Sequence, residues 1–79
     1  MPRAMEWDIE IDAQGLLCPL PVLRLRKRLQ DMAPGQVARL LATDVMAAVD
    51  VPHFCAEQGH GYLGSTDMGE TTAYLVRKA

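Results

Sequence analysis

The sequence predicts an α+β fold, a two-layer α/β sandwich of βαβαββ order in which one sheet carries two helices on one face. Three features support this prediction. Residues 7–12 alternate apolar and acidic side chains, which is typical of a half-buried strand. Residues 19–32 instead show the spacing of an amphipathic helix. Near the end of the chain, residues 62–66 and 71–77 are strand-like, and residues 67–70 between them suit a hairpin turn.

The first helix is predicted between two turns that contain glycine. Gly15 is expected to provide the turn that leads out of the first strand. Within residues 19–32, basic side chains surround one apolar stripe, whose members are Val22, Leu25, Leu29 and Met32. The pair Pro34-Gly35 predicts the second turn, and residues 37–43 then predict the second strand.

Two short helical segments are predicted between the second and third strands. Asp44 is a candidate N-cap for a helix over residues 45–49, because a carboxylate oxygen can accept a hydrogen bond from a free N–H of the first turn. Pro52 interrupts this pattern. Asp50 is therefore the candidate N-cap of a second helix over residues 51–58, with the proline in its first turn.

Length and charge narrow the class of protein. With 79 residues, the chain is expected to form one domain over residues 1–79. It has no apolar run near the roughly 20 residues of a membrane span, and its first residues lack the apolar core of a signal peptide. We therefore expect a cytoplasmic protein whose thiols stay reduced. The formal net charge of −2 does not favour direct binding of nucleic acid.

The segment Cys18-Pro19-Leu20-Pro21 combines a thiol with two prolines at the predicted start of the first helix. If Cys18 is the N-cap, Pro19 is the first residue of the helix and Pro21 the third. Prolines are tolerated at these positions because the first N–H groups of a helix have no partner within it. The pattern predicts a rigid, apolar helix start with one reactive atom at its tip.

Two effects act in opposite directions on the pKa of the Cys18 thiol. The positive end of the helix dipole favours the thiolate, which is the nucleophilic form. Desolvation by apolar neighbours favours the neutral thiol, so the sequence leaves the net shift open. A buried structural cysteine is the alternative interpretation, but the Cys-Pro-x-Pro spacing favours a functional thiol. No second cysteine lies in the same turn, which favours single-cysteine chemistry over a dithiol cycle.

The cysteine lies within a longer signature. Residues 12–22 have the sequence Asp-Ala-Gln-Gly-Leu-Leu-Cys-Pro-Leu-Pro-Val and resemble the signature of the TusA-like, or SirA-like, family of sulfur carriers. The resemblance continues at residues 50–55 and 74–78, so it spans nearly the whole chain. Members of that family fold as a βαβαββ two-layer sandwich, in agreement with the order predicted from periodicity.

The resemblance implies a relay mechanism. Cys18 would accept sulfane sulfur as a persulfide from a cysteine desulfurase or a rhodanese and pass it to a downstream sulfur-accepting protein. Gly15, Pro19 and Pro21 would shape the turn that presents the thiol. Relays of this kind end in tRNA thiolation, in molybdenum cofactor assembly or in sulfur metabolism. The resemblance implies no cofactor, no metal and no membrane contact, and a carrier rather than a multiple-turnover enzyme; we expect a monomer.

The second cysteine and the two histidines are weaker candidates. Cys55 follows Phe54 in the second helical region, so packing is favoured over a second sulfur site or a regulatory disulfide with Cys18. A metal site formed by these cysteines with His53 and His60 is not favoured, because the spacing is irregular and no carboxylate is evident to orient the ligands. The histidines are expected on the surface or in loops.

Basic residues follow the thiol on the first helix. Arg24, Lys27 and Arg28 are candidates for docking onto an acidic partner surface near the sulfur-bearing cysteine of that partner. A solvated helix face is the alternative interpretation. The proximity of these residues to Cys18 keeps both interpretations open.

Two classes of function remain. One is a sulfur carrier in which Cys18 is the persulfide site. The other is a redox-sensing or regulatory protein-interaction module, in which Cys18 is a sensor or only a structural residue. The cysteine of a carrier must accept and release sulfur, whereas that of a regulator need not.

Overall fold

A computed structural model describes residues 7–79, and its elements follow the predicted order. The elements are β1 Ile9–Ala13, α1 Leu20–Leu29, β2 Val37–Ala42, α2 Ala47–Gln58, β3 Gly61–Asp67 and β4 Thr72–Arg77. The four strands form one sheet in the order β1-β2-β4-β3, in which only the β1–β2 pair is parallel. The predicted fold class is confirmed. Neither helix of the described part is long and apolar enough to cross a membrane.

The helix α1 packs on the sheet through the predicted apolar stripe. Leu25 and Leu29 are fully buried, Met32 is buried, and Val22 is partly buried against the same core. The helix is shorter than predicted, because it ends at Leu29 and the chain continues in a turn in which the Met32 N–H donates to the Leu29 carbonyl at 3.0 Å. The stripe therefore extends past the last helical residue.

The helix α2 is continuous, so the prediction of two short helices is wrong. Pro52 lies inside it and removes one main-chain hydrogen bond. A single buried stripe runs through both predicted segments and consists of Ala47, Val51, Phe54 and Cys55. Burial of this stripe against the sheet outweighs the missing bond. Gly59 ends the helix in the left-handed conformation, with φ at 77°, which glycine adopts without strain.

The two C-terminal strands form the predicted hairpin. β3 and β4 pair antiparallel, and the Met68 N–H donates to the Thr71 carbonyl at 2.8 Å across the turn. The Asp67 carboxylate accepts the Gly69 N–H at 2.9 Å, an interaction that is typical of aspartate in turns. The turn sequence therefore determined this pairing locally.

Long side chains cover part of the sheet face that lies away from the helices. Arg39 donates to the Glu10 carboxylate at 2.8 Å, and its guanidinium lies 4.3 Å from the centre of the Trp7 ring. Its second terminal nitrogen lies 3.0 Å from the Met68 sulfur. Trp7 precedes β1, which begins at Ile9, so the prediction that residue 7 belongs to the first strand is wrong. Its ring interacts with a guanidinium of the outer face instead of continuing the buried face of β1.

The burial of α1 gives a stability prediction. Leu25→Ala should lower the free energy of unfolding by about 2–5 kcal/mol, because it leaves a cavity under the helix. Leu23→Ala is the matched control in the same helix, since this side chain is 48% exposed, and should cost about 1 kcal/mol or less. Urea unfolding of both variants measures the difference. Equal losses would mean that α1 is not packed on the sheet in this orientation.

Candidate functional site

Cys18 lies in the loop between β1 and α1, at the end of the sheet where the carboxyl termini of β1 and β2 meet. Because these strands are parallel, the loops that follow them leave the sheet at the same end. Ala13 pairs with Ala42 in the last register position. The loop that begins with Thr43 and Asp44 therefore lies beside the loop that leads to the thiol.

Hydrogen bonds hold the loop that presents Cys18. The Gly15 N–H donates to the Thr43 hydroxyl at 2.9 Å, and Gly15 has φ at 80°, as the predicted turn requires. The Cys18 N–H donates to one carboxylate oxygen of Asp44 at 2.6 Å. The Arg24 guanidinium donates to the Asp12 carbonyl at 2.9 Å, which ties α1 to the end of β1. Three hydrogen bonds therefore hold the loop and the elements on either side of it in place.

The helix α1 begins one position later than predicted. Pro19, and not Cys18, occupies the N-cap position; Leu20 is the first helical residue and Pro21 the second. The Leu20 N–H donates to the Leu17 carbonyl at 2.8 Å, so a tight turn precedes the helix. Both prolines still lie at the helix start, where a missing N–H costs little. The thiol therefore lies just outside the helix.

A carboxylate of α2 is hydrogen-bonded to the thiol. The Cys18 Sγ–H donates to Asp50 Oδ2 at 2.8 Å, although the cysteine side chain is exposed. This hydrogen bond is the main cause that raises the pKa of the Cys18 thiol; desolvation and the negative charges of Asp50 and Asp44 act in the same direction. The shift that the sequence left open is therefore upward, towards the protonated thiol.

The sequence did not identify Asp44 and Asp50 as parts of the site. Asp44 was predicted as an N-cap, but Met46 is the N-cap of α2; one oxygen of Asp44 accepts the Met46 N–H at 3.1 Å, and the other accepts the Cys18 N–H. The predicted βαβ order could have paired this loop with the thiol. Asp50 was also predicted as an N-cap, and it was missed because its position depends on α2 being one helix.

An open groove lies along α1 and reaches Leu16, in the loop that carries Cys18. It has a volume of about 270 Å³ and is lined by Leu16, Leu20, Leu23, Arg24 and Lys27. Two of the three basic residues predicted to dock therefore line it. Arg28 is exposed on the same helix but is not among the lining residues. The groove combines an apolar floor with cationic side chains.

Exposed apolar side chains lie close along the chain to Cys18 and to the two aspartates that bind it. We call these residues the apolar rim; they are Leu17, Leu20, Leu23, Val45, Met46 and Val49. Leu17 is 70% exposed and Val45 is 82% exposed. The first three residues lie in the loop before α1 or in the first four residues of that helix, and the others lie just before α2 or in its first turn. Clustered exposed apolar residues of this kind mark interaction surfaces more often than isolated ones do.

Cys55 has a different environment from Cys18. It lies on the buried face of α2, in the core, and burial raises its pKa to about 11. His53 is exposed and lies 3.5 Å from the Glu57 carboxylate. The His60 ring packs against Phe54, and its Nδ1 accepts the N–H of Ala79 at 3.0 Å. Across residues 7–79, no three side chains of the metal-binding types form a group that could hold an ion.

The fold and the site define a small α/β protein that presents one exposed cysteine on a fixed loop, beside an apolar surface. The family described as "Sulfurtransferase TusA" matches residues 9–78 of the chain. The chain therefore belongs to the TusA family of sulfur carrier proteins, and the resemblance that was inferred from residues 12–22 is confirmed.

Individual relatives agree with this assignment. A sulfur carrier protein TusA of Pseudomonas entomophila is 41% identical over 71 residues, which cover 90% of this chain and 89% of that protein. The sulfur carrier protein TusA of Allochromatium vinosum is 38% identical over 74 residues, which cover 94% and 97% of the two chains. A crystal structure of a SirA-like protein from Desulfitobacterium hafniense superposes with a TM-score of 0.79 at 22% identity, covering 89% and 96%. This last similarity concerns the fold.

The contrast between the two cysteines gives a labelling prediction. In the folded protein at pH 8.5, iodoacetamide should alkylate Cys18 while Cys55 stays unmodified, because Cys55 is buried and its pKa is about 11. Mass spectrometry of tryptic peptides separates the two sites. In urea both cysteines should react, and Cys18→Ser should take up no label while folded. Labelling of Cys55 at the rate of Cys18 would contradict its burial.

Proposed function

We propose that this chain carries sulfane sulfur as a persulfide on Cys18 and hands it to a partner in a sulfur relay. Membership of the TusA family supports the sulfur carrier role. The observation that supports Cys18 as the sulfur-carrying residue is the exposure of its thiol, since the other cysteine of the chain is buried. A thiol that exchanges sulfur with another protein must be accessible to that protein.

The proposed reaction is an exchange between sulfur atoms. The Cys18 thiolate attacks the outer sulfur of a protein persulfide and forms a new S–S bond. The old S–S bond breaks, and its electron pair leaves with the sulfur of the donor, which becomes a thiolate. No external oxidant or reductant is needed because the outer sulfur moves without a net gain or loss of electrons. The same exchange in the other direction delivers the sulfur to the acceptor.

Gly15, Pro19 and Pro21 support this exchange by fixing the position of the thiol. The loop is hydrogen-bonded to Thr43 and Asp44, so little conformational freedom is lost when it enters the active site of a partner. We propose that these three motif residues act through the position of Cys18 and do not take part in the chemistry.

We propose a cysteine desulfurase or a rhodanese as the donor and a sulfur-accepting protein as the next member of the relay. Arg24, Lys27 and Arg28 would contact an acidic surface of the partner, and the apolar rim would contact the surroundings of its cysteine. The cytoplasm is the proposed location, since the cycle requires Cys18 to return to a free thiol. The identity of the acceptor protein determines where the relay ends, for example in tRNA thiolation.

Loading of Cys18 tests the proposed function. The protein is incubated with a cysteine desulfurase and cysteine, or with a rhodanese and thiosulfate, and the intact mass is measured. We expect a gain of one sulfur atom that dithiothreitol reverses. Cys18→Ser should gain none, whereas Cys55→Ser should still gain it, because Cys55 is buried. Absence of the gain with both donors would favour the redox-sensing or regulatory interpretation of Cys18.

The salt dependence of transfer tests the docking residues. Lys27→Glu and Arg28→Glu should each slow sulfur transfer from the donor several-fold at an ionic strength of about 0.02 M, and much less at about 0.5 M, because salt screens the attraction. Arg77→Glu changes the charge equally at the exposed end of β4 and should have little effect. Arg24 is not used because it also holds the main chain of Asp12.

Transfer rates would be followed by the intact mass of the carrier at each salt concentration. Identical rates for Lys27→Glu and Arg77→Glu at both ionic strengths would overturn the docking role of α1. The basic face of the helix would then be only a solvated surface.

A further inference from the structure

We propose that Asp50 controls the sulfur chemistry of Cys18: its carboxylate holds the proton on Sγ in the unloaded carrier and, by its charge, disfavours the persulfide anion in the loaded one. The inference rests on the proposed function of Cys18 as the sulfur site. It assigns a role to a residue outside the Cys-Pro-x-Pro segment, 32 positions further along the chain.

The geometry at the thiol carries this proposal. Cys18 Sγ donates to Asp50 Oδ2 at 2.8 Å, so the carboxylate contacts the atom that reacts. Asp50 is half-buried, and its main-chain N–H is bonded to the Met46 carbonyl at 2.9 Å, which fixes its place in the first turn of α2. A carboxylate can accept a hydrogen bond from a thiol, but it can only repel a thiolate or a persulfide anion.

The charged groups around the thiol leave this effect uncompensated. Asp44, in the loop before α2, adds a second carboxylate on the Cys18 N–H. On α1, Arg24 is bound to the Asp12 carbonyl, and Lys27 lines the groove. The ion pairs found within residues 7–79 involve neither carboxylate of the site. The upward direction of the pKa shift of Cys18 agrees with this arrangement.

The carboxylate acts at both stages of one exchange. During loading, the proton leaves Sγ to Asp50 or to water, and the lone pair of Sγ bonds to the outer sulfur of a protein persulfide. The S–S bond of the donor breaks, and its electron pair stays on the inner sulfur of the donor. The resulting thiolate takes up the proton. Once loaded, the persulfide anion lies next to the Asp50 carboxylate, and this repulsion raises its free energy. Delivery of the sulfur restores the hydrogen-bonded thiol, so Asp50 favours release over retention.

Alkylation kinetics test the first half of the proposal. Iodoacetamide reacts with the thiolate, and the tryptic peptide that ends at Arg24 contains Cys18 but not Cys55. Asp50→Asn keeps the size of the side chain and removes its charge; it should react several-fold faster than the unmodified protein at pH 7, with its pH profile shifted to lower pH. Asp31→Asn, an exposed site after α1, is the control for net charge and should leave the profile unchanged.

A loading equilibrium tests the second half. The protein is mixed with glutathione persulfide and glutathione at a fixed ratio, and the fraction with one added sulfur is read from the intact mass. We expect the ratio of loaded to unloaded carrier to be several-fold higher for Asp50→Asn than for the unmodified protein and for Asp31→Asn. Asp50→Ser removes the charge with a different side chain and should give the same result, and circular dichroism checks that each variant is folded.

The alkylation profile and the loading ratio together distinguish failure of the role of Asp50 from failure of the persulfide function of Cys18. Equal alkylation profiles and equal loading ratios for Asp50→Asn, Asp50→Ser and the unmodified protein would overturn the role of Asp50 while Cys18 still loads. If none of these proteins takes up sulfur but both Asp50 variants alkylate faster, the control of the thiol by Asp50 is supported. The proposed persulfide function, and the part of this inference that concerns the loaded state, are then overturned.

Discussion

The parallel pairing of β1 with β2 is the constraint on which the site depends. It directs the loops after both strands to the same end of the sheet, with Ala13 opposite Ala42. Asp44 then bridges the two loops, because its two carboxylate oxygens accept the N–H groups of Cys18 and Met46. The same bridge fixes the start of α2. A shift of register between these strands would move the carboxylates away from the thiol, even if every helix and strand were retained.

The direction of the pKa shift of Cys18 depends on which charge lies closest to Sγ. The charge at a helix terminus acts over about one turn, and α1 begins at Leu20, two positions beyond Cys18. The Asp50 carboxylate is in direct contact with Sγ at 2.8 Å. The nearer charge dominates, so the pKa of Cys18 is raised where the dipole alone would lower it. The pKa of Cys55 is also raised, but there the cause is burial in the core.

The surface near the thiol combines exposed apolar side chains with charged ones. The apolar rim is exposed, and basic side chains of α1 line the groove next to it. In the proposed docking, the rim would supply contact area and the basic side chains would supply attraction at longer range. The carboxylates of Asp44 and Asp50 contact Cys18 itself, so charges of opposite sign lie on neighbouring elements of this surface. The chain belongs to the TusA family, and its relatives from Pseudomonas entomophila and Allochromatium vinosum are named sulfur carrier proteins.

The sequence by itself determined the βαβαββ order, the buried stripe of α1, the hairpin and the family, because periodicity and turn residues are local signals. It also located Cys18 as the exposed candidate thiol. Tertiary structure decided that α2 is one helix, that Trp7 interacts with Arg39, and that two aspartates bind Cys18, Asp44 at its main-chain N–H and Asp50 at its thiol. Those contacts join residues 26 and 32 positions apart. Local patterns record which face of an element is buried, but only the packing of α2 beside the loop after β1 determines which charge lies next to Sγ.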